Sequence, residues 1–556
     1  MQGGTVVKRR MIGLAAGALA VGLALAGCAG SNTGGSNLHP LTIGMPDGPQ
    51  TNNSNPFVTT SSAAILGYTY LIYEPMAQWN PTLPAKDPTP WLAKEWKWNT
   101  DFTEVTVTPR DGVKWSDGQA FSGKDIAYTF DLLKNTPAFN TNALPIASTD
   151  ASGSTVKITF KSSQFLNQTK VLQTYIVPEH IWSKISDPTK DTNQKPVGTG
   201  PYTLKSWTQQ VITFSPNDAY WGGKPPVPSI QWTSYTDNNA QTAALLSGQS
   251  QWSYVFIPDI QNTYVKKSPT NNAYLPTGLG IDALFLNTAK APFNNVAMRK
   301  AANMVIDRTA VHVQGYSGFK GLVDTVTGLP SPAGDAFTAP EYQGKKATVD
   351  VAGAKKVLTD AGYTYNGTTL MDPSGKAVTV TFQDPAGWSD YLASLQIMAD
   401  NLSKIGVKAT VETPTVDAWT SAVASGDFEA TLHWTNTGAT PWDIYSNTMD
   451  GAQYKPLGQA ASWNFGRFQS PEATKALADY ATTTDENQRK QDMYTLEKIM
   501  VEQVPVIPMA AGPIGAEFST KYWTGWPTEK DPYAVPQPTQ QSLSQVVMHL
   551  KPVSGK

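Results

Sequence analysis

The amino-acid sequence predicts an α/β fold, and three observations support this prediction. Residues 391–405 have the apolar spacing of a helix, Gly406 follows as a stop signal, and residues 407–411 alternate as a strand does. Residues 104–108 and 156–160 alternate in the same way. Hydrophobic residues make up 40% of the chain and charged residues 15%, which is enough apolar surface for a core. A length of 556 residues indicates more than one packed unit.

The same patterns give the order of the elements along the chain. Strands are predicted where apolar residues alternate or form short runs, at 41–45, 104–108, 156–160, 202–204, 211–214, 282–287 and 407–411. Helices are predicted where apolar residues recur at helical spacing, at 61–73, 126–133, 296–306, 349–360, 391–405, 471–480 and 486–503. Ser122 is the predicted N-cap of the second of these helices, because a serine side chain can accept from free backbone N–H groups.

The charge balance and the absence of site motifs exclude several function classes. The chain has 42 basic and 44 acidic residues, so its formal net charge of -2 lacks the basic excess that non-specific nucleic-acid binding requires. Its single cysteine rules out an internal disulfide framework and a thiolate metal cluster. The five histidines lie far apart, and no zinc-protease, nucleotide-loop or serine-hydrolase motif occurs. We therefore predict no cofactor, no metal and no nucleic-acid partner.

The N-terminus has the pattern of an export signal. Residues 8–10 are basic, and residues 11–27 form an uncharged apolar run whose length suits a signal peptide. The following sequence Leu-Ala-Gly-Cys, ending at Cys28, resembles a bacterial lipobox, in which the cysteine sulfur receives a diacylglyceryl group. We predict a signal peptide over 1–27, lipidation of Cys28 and a flexible tether over 28–37. The body would then lie outside the cytoplasm, either on the outer face of the cell membrane or in the periplasm. The alternative is a transmembrane anchor with an incidental cysteine.

Several segments of the body together carry a family pattern. The strongest are WLAKEW at 91–96, RDGVKWSDG at 110–118 and SGKDI at 122–126, although Pro109 stands where the pattern has leucine. Further segments follow in order: PVGTGPY at 196–202, YWGGKP at 220–225, FLNT at 285–288, IDR at 306–308, AGY at 361–363 and PVIP at 505–508. These segments resemble the extracytoplasmic solute-binding proteins of ATP-driven (ABC) importers, in solute-binding family 5.

The resemblance implies a two-lobed fold of the periplasmic-binding-protein type, with an extra inserted domain and a hinge between the lobes. On this basis residues 38–75, 198–290 and 520–550 form lobe I, residues 76–197 the inserted domain, and residues 291–519 lobe II. The resemblance also implies a monomer that is not an enzyme. A solute would be captured between the lobes, and the closed form would deliver it to the permease subunits of the importer.

The segment after Trp434 bears on the identity of the solute. Peptide-binding relatives have the pattern W-x-x-D-x-x-D-P, in which an aspartate pairs with the α-ammonium of the peptide. In this chain Thr437 and Thr440 stand at the two aspartate positions. A hydroxyl cannot neutralise an ammonium, so the resemblance does not carry the peptide clamp over, although Asp443 could shift into that role.

Tryptophan, threonine and asparagine suit a neutral sugar, because aromatic faces cover the apolar side of a pyranose while amides and hydroxyls bind its edge. Trp388 and WNFGR at 463–467 also resemble segments of oligosaccharide-binding members. We therefore favour a neutral oligosaccharide, with a peptide as the alternative and a lipid-anchored glycan hydrolase as a distant one. The predicted binding residues are Trp388, Trp434, Thr437, Thr440, Trp442, Asp443, Trp463, Asn464 and Arg467, with Asn53 and Asn55 closing the cleft from lobe I.

Overall fold

The computed structural model describes residues 38–84 and 86–554, and its first large sheet has seven strands. Their order across the sheet is Asn271–Tyr274, Ala516–Ser519, Trp252–Ser253, Leu41–Met45, Ile230–Ser234, Ile212–Pro216 and Tyr202–Trp207. The strand Leu41–Met45 runs parallel to both of its neighbours, and the remaining pairs are antiparallel. Lobe I is built on this sheet.

The second large sheet has six strands and carries lobe II. Their order is Gly321–Leu322, Val506–Ala511, Asp282–Leu286, Ala430–Trp434, Thr379–Gln383 and Lys408–Glu412. Thr379–Gln383 is parallel to both of its neighbours, whereas Asp282–Leu286 is antiparallel to both of its own. This sheet is therefore mixed, like the first.

The inserted domain has its own four-stranded antiparallel sheet, in the order Ala93–Trp98, Glu104–Pro109, Val156–Phe160 and Ile146–Asp150. Three two-stranded pairs complete the described strands: Ala77–Gln78 with Thr89–Pro90, Thr364–Asn366 with Thr369–Met371, and Trp523–Thr524 with Lys551–Pro552.

The α-helices surround these sheets. Those before residue 275 are Ser62–Leu66, Thr69–Ile72, Gly123–Asn135, Gln168–Leu172, Glu179–Trp182, Asn238–Ser247 and Ile260–Thr263. Those after residue 281 are Val296–Val305, Arg308–Ala310, Val351–Asp360, Ser389–Ser403, Val416–Ser425, Trp442–Met449, Pro471–Thr482, Glu486–Gln503 and Leu543–His549. Short 3-10 turns lie at Val265–Lys267, Asp335–Phe337, Pro340–Tyr342 and Gly451–Gln453, and a π-helical turn at Val311–Gly315.

Most of the helices and strands that local patterns predicted lie close to the observed ones. The strand at 156–160 and the helix at 486–503 have the predicted bounds, and Ser122 caps its helix through a reciprocal capping box with Asp125. The helix predicted over 61–73 is instead two short helices. It is interrupted at Gly67, which adopts a left-handed conformation with φ 85° and ends the first helix.

Buried side chains show which parts pack as one body. One cluster joins lobe I to the inserted domain and includes Ile43 of the first sheet and Val105 of the small sheet. Lobe II has a separate cluster on each face of its sheet. Leu284 and Leu286 belong to one cluster, whereas Ala283 and Phe285 belong to the other, as the two-residue period of a strand requires. The inserted domain therefore belongs with lobe I in packing.

Two strands belong to the other lobe than the one to which the predicted boundaries assign them. The boundary at 290 assigns Asp282–Leu286 to lobe I, but this strand pairs inside the second sheet. The boundary at 519 assigns Ala516–Ser519 to lobe II, but this strand pairs inside the first sheet. The hydrogen-bond partners of a strand decide its sheet, and local sequence does not reveal them. Below, lobe I and lobe II mean the parts built on the first and the second sheet.

The chain crosses between the two large sheets at residues 275–281 and 512–515. The crossings lie side by side, since Ile514 N donates to Pro276 O at 2.8 Å and Thr277 forms an isolated antiparallel bridge with Pro513. A pair of short, mutually bonded crossings is the arrangement that a hinge between lobes requires.

Within the described residues, no helix combines the length and the apolar character that crossing a membrane would demand. The predicted signal peptide, Cys28 and the tether lie outside the described residues.

Candidate ligand-binding cleft

A cavity of about 880 Å³ lies between lobe I, the inserted domain and lobe II. On the lobe I side its wall comes from loops that follow parallel strands. Asp47 follows Leu41–Met45, and Asn238 follows the parallel neighbour Ile230–Ser234. Because parallel strands end at the same edge of a sheet, these two side chains come together there.

Lobe II uses the same arrangement. Its strands Thr379–Gln383 and Ala430–Trp434 are parallel, Trp388 follows the first, and Thr437 follows the second. Both side chains line the cavity. The two lobes thus present the carboxyl ends of their parallel strands to one cavity, where open α/β sheets form crevices for ligands.

An aromatic wall of five side chains covers the lobe II face of the cavity: Trp388, Trp419, His433, Trp434 and Trp463. Ring centroids lie 5.0 Å apart for Trp388 and Trp419, 4.1 Å for His433 and Trp434, and 6.0 Å for His433 and Trp463. Edge and face contacts at these distances hold the rings against each other. The wall is therefore a packed unit with little freedom to rearrange.

Within the wall, Trp434 is the most exposed ring, and Trp388 and Trp463 are half-buried. The Trp434 side chain is 43% exposed, whereas Trp419 and His433 are buried. Burial lowers the pKa of His433 to about 4, partly offset by the hydrogen bond from its Nδ1 to the carbonyl oxygen of Trp434. His433 is therefore neutral at neutral pH and contributes shape to the wall and no charge.

A charged triad of Lys320, Asp282 and Asp390 lies at the cavity. The Lys320 ammonium is 2.5 Å from Asp282 Oδ2 and 3.2 Å from Asp390 Oδ2, and it also lies 4.3 Å from the ring centroid of Tyr391. Burial on its own would lower the pKa of Lys320, but the two carboxylates and the neighbouring tyrosines raise it well above its usual value. Lys320 is thus held as a cation by resident partners.

Asp47 is a second buried carboxyl group at the cavity. Its Oδ2 accepts no hydrogen bond from the part of the chain that the structure describes, and burial raises its pKa to about 7, an effect that the Trp388 side chain partly offsets. An unpartnered buried oxygen is costly unless a ligand group or water donates to it. Asp47 is consequently able to accept a hydrogen bond from a solute.

Hydrogen bonds cross between the lobes on one side of the cavity. Asn238 of lobe I donates its backbone N–H to Gly387 O at 3.0 Å. Its side-chain amide donates to Ser389 Oγ at 3.1 Å and to Asp390 Oδ1 at 3.3 Å. These bonds join the edges of the two large sheets in a closed arrangement.

The inserted domain makes a second crossing. Lys170 Nζ lies 2.7 Å from Asp443 Oδ1, and Leu166 N donates to Ala481 O at 3.1 Å. The cavity is therefore bounded on two sides by contacts that must break before the lobes can separate.

Six of the residues predicted to bind the solute line this cavity. They are Trp388, Trp434, Thr437, Thr440, Asp443 and Trp463. Their contact with a solute stays a prediction. The other five predicted residues do not line it, and each has a structural reason to lie elsewhere.

The prediction for Trp442 is corrected, because its ring packs in the lobe II core. Its indole N–H donates to Leu477 O at 2.9 Å, and Lys170 Nζ lies 4.2 Å from its ring centroid. Trp442 is the first residue of the helix Trp442–Met449, and its ring packs inward from that helix.

Asn464 and Arg467 are also corrected, since both are buried and bonded to backbone. Asn464 donates to the carbonyl oxygens of Asp450 and Phe468 and accepts from Phe468 N. Arg467 donates to the carbonyl oxygens of Phe465, Ala424 and Gln459. These residues fix the backbone conformation beside Trp463.

Asn53 and Asn55 stabilise a loop of lobe I and do not close the cleft. The Asn55 amide donates to the carbonyl oxygens of Pro188 and Asp191, while Asn53 Oδ1 accepts from the backbone of Asn55. The polar run was correctly predicted as a loop, but its amides serve loop geometry.

Several cavity residues were missed from the sequence. Asp282 is a charge at the start of an otherwise apolar strand, which is an unusual position that could have marked it. Lys320, Asp47 and Trp419 stand in ordinary local contexts, and only the fold brings them to the cavity. No group of three or more His, Cys, Asp or Glu within the described range is arranged to hold a metal ion.

Comparisons with known proteins agree with this architecture. The sequence profile of bacterial extracellular solute-binding proteins, family 5 (middle region), matches residues 87–456. The glutathione-binding protein GsiB of Salmonella typhimurium is 27% identical over 460 residues, which cover 78% of this chain and 83% of the relative.

Solved structures give the same result. A mannohexaose-bound periplasmic oligopeptide-binding protein of Thermotoga maritima superposes with a TM-score of 0.84 at 26% identity, over 92% of this chain and 98% of the other. The oligopeptide-binding protein AppA of Bacillus subtilis, in complex with a nonapeptide, superposes with a TM-score of 0.79 at 19% identity, over 92% and 99%. The second likeness supports the two-lobed fold alone.

A cavity enclosed by two lobes, a hinge of two crossings and a family profile that covers most of the chain all point to reversible capture of a solute outside the cytoplasm. Homologous proteins of this kind are binding proteins of ABC transporters and not enzymes. The chain belongs to the bacterial extracellular solute-binding proteins, family 5, and is a substrate-binding protein of an ABC importer.

Proposed function

We propose that this protein captures a neutral oligosaccharide and delivers it to its permease. The aromatic wall carries the proposal. It presents the exposed ring of Trp434 to the cavity, and amide and hydroxyl side chains such as Asn436, Thr437 and Gln540 line the same cavity. Apolar ring faces bind the C–H side of a pyranose, and amides and hydroxyls bind its rim.

The charges at the cavity support an uncharged solute. Lys170 and Lys320 are the lysine or arginine side chains that line it among the described residues, and resident carboxylates hold both. An anionic solute would therefore find no free lysine or arginine among the cavity residues that the structure describes. We therefore do not extend to this chain the glutathione binding that is named for its relatives, because glutathione carries a net negative charge.

A peptide is the second candidate, and one observation favours it. Four aspartates line the cavity, at 47, 282, 390 and 443, against two lysines. This excess of carboxylates could accommodate a ligand ammonium.

Isothermal titration of the mature protein with mannohexaose, tri-alanine and glutathione tests both candidates. We expect saturable heat and a change in tryptophan fluorescence with mannohexaose or another neutral oligosaccharide of similar length, and recovery of the sugar intact. Binding of tri-alanine without binding of any oligosaccharide would refute the oligosaccharide proposal and leave the family assignment standing.

We also propose that the protein is a monomeric lipoprotein, anchored through Cys28 after removal of residues 1–27. The basic start, apolar run and lipobox-like sequence support this proposal. Cys28→Ser should move the protein from the membrane fraction to the soluble fraction of the cell envelope. Unchanged membrane retention of the variant would refute the anchor, and light scattering of the soluble body should give the mass of one chain.

A further inference from the structure

The contact between Lys170 and Asp443 joins two parts of the molecule across the cavity. Lys170 lies on the helix Gln168–Leu172 of the inserted domain, and Asp443 lies in the first turn of the helix Trp442–Met449 of lobe II. The Nζ to Oδ1 distance is 2.7 Å, and both residues line the cavity. The contact is an ion pair.

The surroundings hold both members of the pair in place. Their side chains are 21% and 11% exposed, so solvent screens the pair only weakly. The Lys170 ammonium also lies 4.2 Å from the ring centroid of Trp442, at the distance of a cation–π contact. On the other side, Asp443 Oδ2 fills the space beside Gly438, where a Cβ would approach it to 2.0 Å.

Asp443 needs a cation at this position. A carboxylate that is almost buried and lacks a partner carries a large desolvation cost. Lys170 supplies the cation. Burial raises the pKa of the nearby Asp450, and the positive charge of Lys170 offsets part of that effect. Without Lys170, a cation brought by the solute could pair with Asp443 in its place.

We propose that Lys170 is a specificity-determining residue, whose ammonium occupies the place on Asp443 that a ligand ammonium would take. When the lobes close, the inserted domain thereby places the Lys170 ammonium beside the Asp443 carboxylate. This end of the cleft then accepts uncharged groups. This role of Lys170 deepens the proposed function. It rests on that function in one respect, which is that the cleft binds a small solute.

Two matched pairs of probes test the inference. The first is mannohexaose aminated at its reducing end together with its N-acetylated form, and the second is tri-alanine together with N-acetyl-tri-alanine. Within each pair the members differ by one ammonium group. The measured quantity is the ratio of the two dissociation constants, obtained by titration calorimetry.

Lys170→Met should shift this ratio toward the amine at least about tenfold, because Asp443 then lacks a resident cation. Lys170→Arg keeps the charge and should keep the wild-type ratio. Lys184→Met removes an exposed lysine of the same domain and should change nothing. The double variant K170M/D443N should lose the gained preference, since the carboxylate itself is gone.

A purely structural role for Lys170 predicts a different result. The affinity for both members of a pair would then fall by the same factor in Lys170→Met, and that outcome would overturn the inference. A preference of the wild-type protein for the amine would overturn it as well. Wild-type binding of the peptide pair alone would refute the oligosaccharide proposal, while the ratio within that pair would still decide the role of Lys170. Absence of binding to either pair in every variant would contradict both proposals. If Lys170→Met does not fold, Lys170→Gln provides the same comparison.

Discussion

Tryptophan has two separate uses in this protein, and exposure distinguishes them. Trp115 and Trp232 are completely buried in the core of lobe I and its inserted domain, whereas Trp434 is 43% exposed at the cavity. A large exposed ring costs solubility unless it serves recognition, so its position at a concave surface is informative. The same residue type therefore carries either stability or binding, and only the surroundings of each ring determine which.

Trp434→Ala should weaken solute binding by more than about 1 kcal/mol, which corresponds to at least about a fivefold rise in Kd. The ring offers its open face to the cavity and would be the main apolar surface that a sugar covers. Titration calorimetry checks the effect. Leu457→Ala, which trims an exposed apolar side chain outside the cavity, serves as the control and should leave Kd unchanged. Full affinity in W434A would remove this ring from the site.

Asn464→Ala should destabilise the protein by about 3 kcal/mol while leaving the intrinsic affinity for solute nearly intact. The substitution removes three backbone-directed hydrogen bonds and places alanine at φ 50°, where a Cβ is unfavourable. Urea denaturation measures the loss. Glycine adopts this backbone conformation without strain, so Asn464→Gly should lose less stability than Asn464→Ala. A large loss of affinity with unchanged stability would restore Asn464 to the binding site.

At the scale of elements, parallel strands and the segments that follow them create the cleft. In each large sheet a parallel pair ends at the cavity, and the next segment supplies a cavity-lining residue, Asn238 in lobe I and Trp388 in lobe II. Helix starts add the carboxylates of Asp390 and Asp443. The hinge is equally local, since its two crossings bond to each other near Pro276 and Ile514.

Gly515→Ala should disturb the hinge, because a Cβ at this position would lie 2.3 Å from Leu275 Cα on the adjacent crossing. Backbone cannot yield as a flexible side chain would, so we expect a loss of about 1–3 kcal/mol in unfolding free energy. Thermal and urea unfolding provide the measurement. Gly321→Ala is the matched control, since its nearest contact is at 3.4 Å, and it should cost little. Equal stability of the two variants would contradict close packing of the crossings.

For the molecule as a whole, closure and charge are linked. Lobe I and the inserted domain share one core, while lobe II has its own, so the two bodies can separate without opening a core. The contacts that oppose separation are polar, as with Asn238 and Lys170, and also apolar, as with Leu166 against the lobe II core and Phe256 against Phe319. A solute can shift the balance between open and closed forms only through its greater affinity for the closed form.

The stability of the whole molecule should fall as pH rises from about 5 to 8. Burial raises the pKa of Asp47, Glu74 and Glu497 to about 7 and that of Glu517 to about 8, with hydrogen bonds offsetting part of the effect. In this window the native state therefore binds more protons than the unfolded state, and unfolding becomes easier as those protons are lost. One pKa unit corresponds to about 1.4 kcal/mol, so the combined change amounts to several kcal/mol.

His433 acts in the opposite direction. Its pKa is lowered by burial, so the fold loses stability as the pH falls below the ordinary pKa of histidine. One such group cannot outweigh the four carboxyl groups. Tm measured between pH 5 and 8 checks the prediction. Glu517→Gln keeps an acceptor for Val255 N and should flatten the dependence. A Tm that rises toward pH 8 would contradict it.

The sequence by itself determined the α/β class, the approximate bounds of the helices and strands with clear periodicity, and the family, because periodicity, capping residues and collinear motifs are local properties of the chain. It also located the segment from Trp434 to Asp443 at the cleft. It could not distinguish Trp434 from its buried neighbour Trp442, since a turn between strand and helix decides which ring faces the cavity.

Tertiary structure alone decided the electrostatics of the site and the sheet membership of the strands beside the hinge. Lys320 meets Asp282 and Asp390, and Lys170 meets Asp443, across long separations in sequence. Such contacts depend on strand register and on the approach of two lobes, which are set by many packing contacts together. They cannot be predicted from a single residue and its near neighbours in sequence.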